Sequence, residues 1–137
     1  MSRCRPASVA TMLLIALTLV SCGGQPAASA GAGRPSSPAT VTIVQPIAGA
    51  TVQGSTVHVV LSLTGATIVK QTTTNIRPDQ GHIHLYVDNV LVSMNYGLEQ
   101  DLPVHPGTYV LRAEFVAADH APFNPRVLSS DTIFTVK

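Results

Sequence analysis

The sequence predicts an all-β fold, an antiparallel sandwich or small barrel. Three observations lead there. After residue 40 the apolar residues recur with period two, as in half-buried strands. No stretch beyond that point keeps a helical period. Gly- and Pro-containing turns separate the short runs at close intervals.

The runs follow in order. Val41–Val44 is β-rich and ends at Gln45-Pro46. Thr56–Leu63 alternates, with Val57, Val59, Leu61 and Leu63 on one face and Thr56, His58, Val60 and Ser62 on the other. His82–Asp88 places Ile83, Leu85 and Val87 together, and Val90–Ser93 pairs back after an Asp88-Asn89 turn. Thr108–Val116 sets Tyr109, Leu111, Ala113 and Phe115 inward, with Arg112 and Glu114 outward. Thr132–Val136 closes the domain. Lys70–Gln80 and Ala117–Ser130 are expected to be long loops, places where rigid sandwiches often bind.

Composition restricts the function. The chain has 137 residues, room for one domain. Charged residues are only 11%, too few for a coiled coil. A net charge of +1 provides no field to attract nucleic acid, so no nucleic-acid partner is expected. Aromatics are 4% with no Trp, which gives little support for sugar stacking.

Residues 1–21 read as an export signal. Arg3 and Arg5 precede the apolar run Met12–Val20, about half the length a spanning helix needs. Residues 22–40 are small, Gly- and Pro-rich, and are expected to form a disordered tether. Residues 41–137 form the β-domain.

Leu19-Val20-Ser21-Cys22 resembles the lipobox of bacterial lipoproteins. That resemblance implies cleavage between Ser21 and Cys22, a diacylglycerol on the Cys22 thiol and an acyl chain such as palmitate on the new N-terminus. Two or three chains anchor stably where one is marginal. The expected location is the extracytoplasmic face of the cell membrane. The mature chain would have 116 residues, six basic against seven acidic, and Cys22 as its sole cysteine. A disulfide and a cysteine-rich zinc site are thereby excluded.

Two further resemblances bear on the domain. Gln45-Pro46-Ile47-Ala48-Gly49 through Gly54-Ser55-Thr56-Val57 is similar to the opening of bacterial extracellular immunoglobulin-like domains. Pro106-Gly107-Thr108-Tyr109 resembles the start of their sixth strand, where a tyrosine hydroxyl can fold back onto nearby backbone. An immunoglobulin-like/fibronectin-like β-sandwich is implied, without the antibody disulfide, since Leu111 stands where its second cysteine would be. Gly81-His82-Ile83-His84, Pro106-Gly107 and Asp119-His120-Ala121-Pro122 also resemble an uncharacterised bacterial Gly-His-x-His family of secreted or surface placement.

His82 and His84 lie two apart on one strand, on one face, roughly 7 Å apart at Cα. His120 lies in the following loop. Together they are candidate ligands for copper or zinc, with Asp88, Met94 and Asp119 as supporting groups. Two other readings stand beside this. The histidines could pin the loop by hydrogen bonds to backbone and Asp119, or contact a ligand directly. With pinning favoured, no cofactor is expected.

Enzyme patterns fail. A cupin needs Glu where Asp88 stands and Gly where Ile76 stands, and a metallo-β-lactamase needs Asp-His where Tyr86-Val87 stand. No nucleophile elbow, phosphate loop or His-Glu-x-x-His occurs. The expectation is a non-enzymatic binding or scaffold module, its protein or cell-wall partner unnamed by the sequence. The alternative is a periplasmic or cell-surface metal-binding protein.

Overall fold

The computed structural model describes residues 33–137. The export signal, Cys22 and most of the expected tether lie outside the described residues. Ten strands follow in order among those described: β1 (Thr40–Gln45), β2 (Thr51–Val52), β3 (Thr56–Thr64), β4 (Thr67–Ile68), β5 (Gln80–Val87), β6 (Val90–Asn95), β7 (Glu99–Pro103), β8 (Gly107–Ala117), β9 (Pro122–Leu128) and β10 (Thr132–Val136). No described helix is long and apolar enough to cross a membrane.

The strands form two sheets. One is β1-β3-β7, antiparallel throughout. The other runs β2-β10-β8-β5-β4, with β6 on β5 and β9 on β8. Its main pairings are antiparallel, while the two-residue strands β2 and β4 join parallel to their neighbours. The alternation read in the sequence is what closes the core. Val57, Val59 and Leu61 from β3 meet Ile83, Leu85, Leu111, Ala113, Phe115 and Phe134 from the other sheet, all buried. Val87 is only partly buried, at the sandwich rim.

The turns carry the expected chemistry. Asp88 and Asn89 both adopt positive φ, 50° and 66°, the geometry of a type I′ hairpin. The Tyr109 hydroxyl donates to the His105 carbonyl at 3.0 Å, closing the corner before β8. Gly81 has a packing reason: a Cβ there would lie 1.9 Å from the Val116 carbonyl oxygen. Only glycine lets β5 approach β8 this closely where the histidine strand begins.

Three expectations need correction. The Ala117–Ser130 segment is not simply a loop, because it contains β9. Phe123 is buried there and stacks on Phe115, ring centres 5.6 Å apart. Pro122 and Pro125 disguise the strand, but an edge position tolerates residues that cannot donate to a ladder. Glu114, expected on a solvated face, is fully buried. It accepts two hydrogen bonds from Arg126, at 2.7 and 2.6 Å, and one from the Tyr86 hydroxyl at 2.9 Å. The domain-proximal end of the expected tether is docked: Arg34 and Pro35 bond the 119–124 segment.

Candidate functional site

β5 brings His82, His84 and Tyr86 to the outer face of the larger sheet. Opposite them on β8 stand Val116, Glu114 and Arg112, and opposite His84 on β6 stands Met94. A bare outer face would leave these side chains in water. Here the turn after β8 folds back over it. The Ala117 carbonyl accepts from the His120 amide at 2.9 Å, and the Ala121 carbonyl accepts from the Ala117 amide at 3.0 Å. His120 itself sits at φ 63°, a left-handed conformation few side chains adopt. Its imidazole comes to rest over the strand.

The three histidines therefore converge. His120 Nδ1 lies 3.3 Å from His84 Nε2, with the rings 15° from parallel. His120 Nε2 lies 3.3 Å from the Thr72 hydroxyl, in the segment before β5. The His82 ring packs against the His120 ring at 4.2 Å and takes Tyr96 edge-on at 4.8 Å. His82 is fully buried and His84 nearly so. Neither nitrogen of His82 has a hydrogen-bond partner, although the backbone of Val69 and Gln71 passes close by. Burial, reinforced by the neighbouring His120, lowers the pKa of both His82 and His84. Near neutral pH His82 and His84 are therefore held in their uncharged form.

Hydrogen bonds from two neighbouring segments hold the turn. Arg34 donates to both Asp119 oxygens, at 2.6 and 2.8 Å, and to the carbonyls of Ala121 and Pro122. The guanidinium keeps the Asp119 carboxyl below its ordinary range. Thr73 donates its amide to the Ala118 carbonyl from the other side.

Of the residues the sequence singled out, His82, His84 and His120 are brought together, but not as three ligands around one point. Among the described residues no group of three His, Cys, Asp or Glu is arranged to hold an ion. The reason is geometric: His82 meets His120 through its ring face. Asp119 is turned to Arg34 and away from the role of metal support. Asp88 is at the far end of β5, its carboxylate accepting from the Val110 amide at 2.9 Å. Met94 faces the same side as His84 and is 58% exposed. Sequence reasoning missed Arg34, Thr72 and Tyr96, none of which has a local signal.

Two packed sheets of this order, with a tyrosine-closed corner, make the chain a fibronectin(III)-like β-sandwich. Among solved structures it is similar to the fibronectin(III)-like modules of CbhA from Clostridium thermocellum, at TM-score 0.53 and 22% identity. The match covers 72% of this chain and 46% of that one, so this chain spans less than half of that structure's length. Likeness at this identity concerns the fold alone. Comparison with family models and with curated proteins returned no match.

Proposed function

We propose that the chain is a lipid-anchored binding module on the extracytoplasmic face of the membrane, with no catalytic role. The observation that carries the binding reading is β6. It pairs only with β5, so its other edge is free among the described strands. Val90, Val92 and Met94 are 64%, 46% and 58% exposed, and Leu91 and Tyr96 are also open. No charged residue occurs between Val90 and Leu98. Solitary edges usually carry Lys, Pro or a twist that rejects partners, and an apolar uncharged edge favours association. The fibronectin(III)-like fold supports a binding or scaffold role. The lipobox-like Leu19–Cys22 supports the anchor.

Two experiments test the two halves. Labelled fatty acid should enter the wild type and not Cys22→Ala; equal labelling of both removes the anchor. A photo-crosslinking residue at Val92 in living cells should give one discrete adduct that Leu91→Lys abolishes. No adduct, or one indifferent to Leu91→Lys, removes β6 as the binding edge.

A further inference from the structure

At the hairpin end of β5 the outer face of the larger sheet turns basic. Tyr86 and Arg112 are cross-strand partners there, and Glu114 follows Arg112 on the same face of β8. Arg126 comes from β9 and Asn89 from the β5–β6 turn. Tyr86, Asn89, Arg112 and Arg126 line a hollow of about 200 Å³. That is room for several water-sized groups at about 30 Å³ each.

All four lining side chains carry hydrogen-bond donors, and none is an acid. The two carboxylates nearby are already engaged. Both Glu114 oxygens accept from Arg126, and one also accepts from the Tyr86 hydroxyl. Both Asp131 oxygens accept from Arg112. In each pair the arginine uses Nε and Nη2. An arginine has five N–H donors, so each pairing leaves N–H groups to spare. Arg112 Nη1 donates to Asn89 Oδ1 at 3.2 Å, which orients that amide and leaves its NH2 group to donate elsewhere. Arg126 Nη1 bonds neither oxygen of Glu114.

Holding Glu114 and Asp131 does not require two guanidinium groups to face one hollow. Hydrogen bonds to Asp131 raise the Arg112 pKa, while the positive charge of Arg126 acts against it. An anion seated between the two arginines relieves that opposition. The donors come from three residues. This suits an anion with three or four acceptor oxygens better than a flat carboxylate, which one arginine fork satisfies.

We propose that this hollow binds one phosphate group, free or as a monoester, through N–H groups of Arg112, Arg126 and Asn89. Tyr86 forms a wall, its hydroxyl proton committed to Glu114. The site goes beyond the edge-binding reading, because none of its donors lies on β6 and the anchor contributes nothing to it.

Inorganic phosphate and glycerol phosphate are each titrated into the full chain in a non-ionic detergent at constant ionic strength. Side-chain N–H groups are followed by NMR. One equivalent should bind, shifting Arg112, Arg126 and Asn89 together. Arg112→Gln should weaken binding about tenfold or more, as loss of a charge-assisted hydrogen bond does. Asn89→Asp is the second variant, because aspartate tolerates a positive φ and still accepts from Arg112. It should weaken phosphate by a similar factor without lowering stability in urea, since it sets a negative charge at the hollow. A purely structural role for these residues would not give that result. Tighter binding of glycerol phosphate would assign the site to a phosphate ester, and the reverse to free phosphate. No saturable shift with either compound would overturn the site. So would acetate binding as tightly as phosphate, binding unchanged in either variant, or shifts centred on Arg34 or Arg77.

Discussion

Arg34 and Asp119, 85 residues apart in sequence, meet in a two-point ion pair at 2.6 and 2.8 Å. Both side chains are about three-quarters buried, at 22% and 24% exposure. The same guanidinium bonds two carbonyls of the turn. Arg34→Ala should therefore cost about 1–2 kcal/mol, the range for a few charge-assisted bonds at a partly exposed site. The loss should be local. Hydrogen exchange should accelerate at Ala121, whose amide bonds Asp119, and at His120, while Ile83 and Leu85 stay protected. Unchanged exchange at Ala121 would show that the clamp does not hold the turn.

Acid should weaken the fold before its carboxylates titrate. His82 and His84 have lowered pKa values in the folded state, first because of burial and then because of His120. In the unfolded chain they protonate near ~6.5. The unfolded state then binds more protons than the folded state, so stability is level above that pH and falls below it. The slope can reach about 1.4 kcal/mol per pH unit per histidine. Chemical denaturation at pH 7.5 and 5.5 should show the drop, and His82→Phe should flatten it. Equal stability at both pH values would mean that the folded cluster accepts protons freely.

Glu114 is fully buried and Arg126 is half exposed, so the pair is asymmetric. Removing Arg126 leaves a carboxylate in the sheet with only the Tyr86 hydroxyl. Arg126→Ala should destabilise by about 2–3 kcal/mol, less than the ~3–5 kcal/mol for breaking a fully buried pair because Arg126 is half exposed. Replacing both residues with leucine should recover most of this, since apolar groups of similar volume often match a buried pair. A double variant as unstable as the single one would assign the pair a net stabilising role.

Leu111 is fully buried between the sheets. Leu111→Ala should cost about 2–5 kcal/mol in urea denaturation. A cost under about 1 kcal/mol would place the residue outside the packed core.

The core was legible because its strands obey one simple rule. On β3, β5 and β8 every second residue is apolar, and Val59, Leu85 and Phe115 are buried as that period requires. Asp88-Asn89 and Tyr109 were legible because their chemistry is local to a turn. Glu114 was not. Its partner Arg126 comes from β9, which Pro122 and Pro125 conceal. His82 and His84 could be placed on one face, but the depth of their burial depends on a turn folding back over that face. That fold depends on Arg34, held in a stretch whose composition signals only flexibility. Period and turn chemistry are properties of neighbours in sequence, while the site is assembled from five separate segments.

The docking of Arg34 and Pro35 also has a mechanical side. Pull on the chain from its N-terminal side and the strain does not reach β1 first. It reaches Arg34 against Asp119, and the Pro35 carbonyl against the Asn124 amide at 3.0 Å. These bonds act as a fuse in series with the sheet. Tension applied ahead of Arg34 would tug the 119–124 segment, and with it His120, before any strand of the sandwich was sheared. A domain held at that end would register force at its histidine cluster while its core stayed closed.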